Sequence, residues 1–330
     1  MFRNGGVLGR FRTLAVGALA AIPAVALAQT CPLTTAPTGG FGTLARPGGP
    51  VLFRSGLAVN ADGAPNAYHR GIGPNVTDPG LLHICNGADV LERRGNSLVN
   101  RYPDFGVPGS SQRCKADYFT LRNRGFPTCD TGLCLRIYGF VATPRACGFG
   151  RGNDCGVPVA QTDGKGQPTD FWISATSWFD HARPATDPAR YLDARFIPHI
   201  VLPGGEGGPF GTARGVRLGD LALLAWQGRA TFAVFADAGP SSKLGEASPA
   251  AINRLRGQAD SPTRRGAPIP PATPVTTLLF PGTRQLLGPG IPADAAAIRQ
   301  AGDRALAAAG GLAAFRSCPG LAGPLTIAER

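Results

Sequence analysis

Apolar residues come in short runs along this chain, among them Phe196 to Leu202, Leu221 to Trp226, Thr231 to Phe235 and Val275 to Phe280. Runs of this length, rich in β-branched and aromatic residues, predict strands. The 47 glycines and 31 prolines between them predict strand and loop from about Val51 to Pro281. Helix signals stand at two places. Ala247-Ser248-Pro249 has the form of a helix start, and Pro292-Ala293-Asp294 leads into an alanine-rich stretch, Ala295 to Ala309, which Gly310-Gly311 ends. No internal repeat divides the chain.

The amino-terminal pattern is of another kind. Arg3, Arg10 and Arg12 precede an apolar stretch from Leu14 to Leu27, and Ala26-Leu27-Ala28 stands before Gln29. This predicts a secretory signal peptide over residues 1–28, since the stretch is short for a membrane span and contains Gly17 and Pro23. The mature chain is therefore expected outside the cytoplasm, extracellular or periplasmic, and free of the membrane. Residues 29–50, dominated by Thr34 to Pro50 with its Gly, Pro and Thr, read as a flexible linker. A main domain is expected over 51–290, with a Cys-, Gly- and Arg-rich insertion near 101–155, and a terminal helix and tail over 291–330 packing on it.

In an exported chain, eight cysteines predict disulfides rather than thiols. Zinc is the competing account, but no C-x-x-C pair is present and the four histidines are scattered, so no metal and no cofactor is expected. The formal charge is +12, and losing the three signal-peptide arginines leaves +9. The basic residues form no dense run and match no nucleic-acid motif, which argues against a nucleic-acid partner and leaves an anionic envelope polymer open.

Candidate chemistry gathers in Arg229 to Asn253. The strand through Thr231 to Phe235 delivers Asp237 into the turn Ala238-Gly239-Pro240, and Glu246 follows nine residues on, just before the helix start. Two carboxylates flanking one turn are what glycosidic-bond cleavage by acid and base needs. Capping and solvation are the ordinary roles of such residues and stand as the alternative.

Four blocks in order, LAVNADGAPNAYHR (57–70), DFWISATSW (170–178), YLDARFIPHIVLP (191–203) and GDLALLAWQGRATFAVFADAGPSSKLGEAS (219–248), resemble glycoside hydrolase family 75, the secreted chitosanases. TLLFPG (277–282) and GGLAAFRSC (310–318) resemble the tail of its bacterial members. The resemblance implies that Asp237 and Glu246 are the catalytic pair. It also implies that they hydrolyse β-1,4-glucosamine linkages with inversion, with a water between carboxyl groups about 6.5 to 9.5 Å apart. Glu246 is assigned as general acid and Asp237 as general base. The first block departs from the family's D-x-D-G, because Asn60 replaces the first acid and only Asp62 remains. A second resemblance, of the strand, D-x-G-P turn and following helix, is to double-psi β-barrels, including lytic-transglycosylase-like envelope proteins. The expected fold is thus mainly β: a small double-psi-like barrel core with long disulfide-stapled loops and a C-terminal helix.

Substrate contacts are expected from Asp62, Asp193, Asp220, Tyr191 and Trp172, with Asp193 and Asp220 helping to make the cleft acidic for a polycationic substrate. His199 reads as a packed core residue, and no Ser-His-Asp set can be argued, G-x-S-x-G being absent. Asn75-Val76-Thr77 fits a glycosylation sequon. The chain is expected to act as a monomer on a polysaccharide. The alternative is a non-catalytic or differently specific binder of chitin or peptidoglycan.

Overall fold

A computed structural model describes residues 30–72, 80–104, 106–147 and 155–328. The expected signal peptide and the sequon at Asn75 lie outside the described residues. From Cys31 onward the chain forms one compact unit.

The fold is mainly β. In chain order its main strands are β1 (Thr34–Thr35), β2 (Thr43–Ala45), β3 (Val51–Ser55), β4 (Ala58–Val59), β5 (Ala88–Arg94), β6 (Ser97–Asn100), β7 (Leu133–Ile137), β8 (His199–Pro203), β9 (Leu221–Trp226), β10 (Arg229–Gly239), β11 (Glu246–Ala247), β12 (Val275–Phe280) and β13 (Thr326–Ile327). The α-helices are α1 (Ser110–Asn123), α2 (Pro209–Arg214), α3 (Pro249–Leu255) and α4 (Ala295–Ala308).

One mixed sheet runs in the order β1, β2, β3, β12, β9, β10, β8, β11, β4, with β13 pairing β10. Its central strands are buried on both faces, so alternation separates two cores rather than core from solvent. Ala222, Leu224, Ala233 and Phe235 join one core with Ile200, Leu202 and the α3 residues Ala251 and Leu255. Leu221, Leu223, Phe232 and Val234 join the other, with Ile298, Ala301 and Ala305 of α4. The path from β3 to β4 ends on the stretch of chain where it began, and Leu57 between them bridges to Ile269. No closed ring of hydrogen-bonded strands is found among the described residues.

The stretch expected to be a linker belongs to the sheet. β1 pairs β2, β2 pairs β3, and Cys31 is disulfide-bonded to Cys318 at the far end of the chain. The composition of Thr34–Pro50 misleads because these edge strands are short and are held by a neighbouring strand and a cross-link rather than by an apolar run of their own.

A second layer is built from β6, β5 and β7, in that spatial order, packed with α1 and closed by the disulfides Cys85–Cys114, Cys129–Cys134 and Cys147–Cys155. It begins earlier than the expected insertion, near Ile84, and α1 falls where only strand and loop were expected. The helix buries Cys114, Tyr118 and Leu121 at helical spacing within a mostly polar sequence, so its apolar signal is three residues, one of them half of a disulfide. Among the described residues no helix is long and apolar enough to cross a membrane. The sulfurs of Cys129, Cys147 and Cys155 lie within 4.8 Å of one another, but all three are committed to disulfides.

Candidate active site

The centre of the site is a register fact. Val201 on β8 is the parallel partner of Asp237 on β10 and, on its other side, the antiparallel partner of Glu246 on β11. Residues paired across a sheet project to the same face, so the two carboxylates stand on one face, two strands apart. The register shifts between Ile200 and Val201, with Phe235 opposite the first and Asp237 opposite the second. This bulge at Ala236 turns Asp237 away from the interior that receives Phe235, the re-aiming role bulges have beside functional sites. Gly239 adds room: a Cβ on it would lie 3.0 Å from Val201 Cγ1 and 3.4 Å from Glu246 Oε2.

Asp237 is 6 % exposed. The backbone N–H and the hydroxyl of Ser177 both donate to its Oδ1, at 2.9 and 2.7 Å, and Asn60 Nδ2 reaches its Oδ2 at 3.5 Å. Burial outweighs those donors, and with a smaller push from Glu246 it raises the carboxyl to about 6. Glu246, with 15 % of its side chain exposed, is ion-paired with Lys243.

Asp62 completes the cluster. Its Oδ1 accepts from the Tyr68 hydroxyl at 2.6 Å and its Oδ2 from Asn60 Nδ2 at 3.0 Å, while Asn60 Oδ1 accepts from the Asp62 N–H at 3.0 Å. Burial first, and then the charge of Asp237, hold Asp62 well above the ordinary carboxylate range. Asn60 is fixed by its own backbone, which donates to Ala247 O at 2.9 Å beside Glu246.

The other expected contacts lie elsewhere. Asp220 is fully buried and its oxygens accept from the backbone N–H groups of Arg217, Thr283 and Arg284 at 2.8, 2.8 and 3.1 Å, so it pins two turns together. Asp193 is held by the Arg195 guanidinium through contacts of 2.7 to 3.1 Å. Neither supplies free negative charge; of the three acids expected to contact substrate, Asp62 is the one linked, through Asn60, to Asp237. Trp172 is core, its Nε1 donating to the Tyr118 hydroxyl at 2.8 Å. Tyr191 is buried against Phe179, with its hydroxyl on Ala185 O. Large aromatic side chains bury more area than any others, and here packing outweighs presentation. His199 is fully buried, and burial lowers it to about 4, leaving a neutral ring.

Sequence reasoning did not single out Asn60 as a bridge, nor Ser177, Tyr68 or Lys243. Ser177 and Tyr68 lie inside two of the blocks that carry the family resemblance, but nothing in a sequence tells which polar residue of a block meets Asp237. Together these residues make a site with two carboxyls, Asp237 and Asp62, held toward their protonated forms and a third, Glu246, with a cationic partner; Asp237 and Glu246 stand on one face of the sheet. No family model matches the chain, and no curated protein matches it.

Proposed function

We propose that the protein is an exported glycoside hydrolase that cleaves β-1,4-linked glucosamine polymers with inversion, using Asp237 and Glu246. The observation that carries this reading is their shared register at Val201. Strands in a sheet lie about 4.8 Å apart, so groups two strands apart sit roughly 9 to 10 Å apart at the backbone. That places both carboxyl groups over one stretch of the sheet, within reach of one glycosidic bond; inversion, with a water between them, is what the family resemblance implies.

The electrostatics favour an order of roles opposite to the one assigned from the sequence. Asp237, raised to about 6 by burial, is the general acid. Its Oδ1 is occupied by Ser177, which leaves Oδ2 to carry the proton. Glu246, more open and ion-paired, is the general base. In the step, Asp237 protonates the glycosidic oxygen as the bond from it to the anomeric carbon breaks. A water deprotonated by Glu246 attacks that carbon from the opposite face. The products are a new chain end and a hemiacetal of inverted configuration, with Asp237 ionised and Glu246 protonated until solvent restores both.

Four disulfides and the amino-terminal signal pattern support action outside the cytoplasm. The assay is release of reducing ends from chitosan by the wild type, Asp237→Asn and Glu246→Gln. An aryl glycoside with a good leaving group separates the roles, because it needs no acid and restores turnover only to the general-acid variant. Rescue of Glu246→Gln instead of Asp237→Asn would reverse the order, and binding of chitosan, chitin or peptidoglycan with no product from any of them would make the protein a binding module.

A further inference from the structure

We infer that Tyr138 is the sugar platform of this site, a ring on which the apolar face of a substrate pyranose stacks; the inference rests on the glycosidase reading above. Sugar-binding clefts need an exposed aromatic face beside the polar groups that do the chemistry. The aromatic residues first considered for this, Trp172 and Tyr191, are buried. Tyr138 is 56 % exposed, and among the described residues the only other large aromatic side chain with comparable exposure, Phe196, has the Arg195 guanidinium over its ring at 5.3 Å.

Position adds to exposure. Burial of the phenol first, and then the charges of Asp89, Asp62 and Glu246, push Tyr138 above the ordinary tyrosine value. The next residue, Gly139, backs directly on the carboxylate cluster: a Cβ there would lie 2.5 Å from the Tyr68 hydroxyl and 3.1 Å from Asp62 Oδ1. The backbone N–H groups of Tyr138 and Gly139 both donate to Gly87 O, at 3.0 and 2.9 Å, so the turn that carries the ring is fixed to the start of β5. Gly139 O in turn accepts from the Ser174 hydroxyl at 3.2 Å and from the Ala175 N–H at 3.1 Å, in the segment that leads to Ser177 and its two bonds to Asp237.

The disulfide-stapled layer thereby gains a role in the site. β7, anchored by Cys129–Cys134 at its start, leads into the turn of Tyr138 and Gly139 beside Asp62 and Tyr68, while Asp237 and Glu246 belong to the other sheet. A ring so placed binds a sugar unit without touching the bond that breaks. Its removal should weaken the hold on the chain and leave the chemical step alone.

The test is Tyr138→Ala, with Tyr138→Trp and Tyr138→Phe as conservative controls, assayed on a glucosamine hexamer. The expected result for Tyr138→Ala is a KM raised tenfold or more with kcat within about twofold of wild type, restored by Trp and Phe. Calorimetric titration of the same hexamer into each protein in a Glu246→Gln background reads the same loss as affinity. An active wild type with Tyr138→Ala unchanged in KM and in affinity overturns the platform and leaves the glycosidase reading intact. A wild type that binds the hexamer without cleaving it overturns the glycosidase reading, and the affinities then decide Tyr138 alone. A wild type that neither binds nor cleaves overturns both.

Discussion

Asn60 and Asp237, 177 residues apart in sequence, meet through the Asn60 side-chain amide, which reaches Asp237 Oδ2 at 3.5 Å and Asp62 Oδ2 at 3.0 Å. One neutral donor thus sits between two buried carboxyl groups. An acid at position 60 would put a third carboxylate against a pair that burial already holds toward neutrality.

Asn60→Asp is therefore expected to raise the proton affinity of Asp237 through like charge. The alkaline limb of the pH–rate profile for chitosan cleavage should move to higher pH, by on the order of one unit. A profile unmoved, or moved to lower pH, would separate Asn60 from the acid.

Asp237 also predicts a pH dependence of stability. Its folded value of about 6 lies above the ordinary unfolded carboxylate value, so between about pH 4 and pH 6 the folded chain binds more protons than the unfolded one. Stability from this group is complete below about pH 4, falls as pH rises through that window, and above it settles at a deficit of about 3 kcal/mol at most. Asp237→Asn does not titrate, so its stability relative to wild type should improve from pH 4 to pH 7 and then level off. Denaturant unfolding at stepped pH reads this directly, and a constant difference across the range would contradict it.

The Cys31–Cys318 bridge closes a loop of 287 residues and ties β1 to the chain's end. Replacing both cysteines with serine should cost about 2 to 5 kcal/mol, read as a lowered melting temperature under non-reducing conditions, with reducing-end release retained at low temperature. Unchanged melting would show that β1 and β2 are held without the cross-link.

Much of the central sheet was legible from pattern. Leu221–Trp226 and Val275–Phe280 are strands as expected, Ser248 caps α3 with Pro249 at its first position, and Asp294 caps α4. Such local signals act within a few residues and are visible in a sequence. What pattern missed depends on distant partners. β1 and β2 exist because β3 and Cys318 hold them, and α1 because Cys85 and the layer beside it bury three of its residues.

The site divides along the same line. Asp237 and Glu246 could be named from one stretch of chain, and a sheet register places them on one face. The fates of Asp220, Asp193, Trp172 and Tyr191 could not, because exposed and buried acids or aromatics read alike until their partners are known. Asp220 meets three backbone N–H groups from two turns, an encounter no local pattern encodes.

Inverting hydrolysis by Asp237 and Glu246 is tested most sharply by proton NMR of a glucosamine oligomer during cleavage, with wild type, Asp237→Asn and Glu246→Gln in parallel. The wild type is expected to release the α-anomer first, the inverted product of a β-linkage, and each variant to lose about 100-fold or more of the rate while keeping its fold. Release of the β-anomer first, or full activity in either variant, would contradict inversion by this pair.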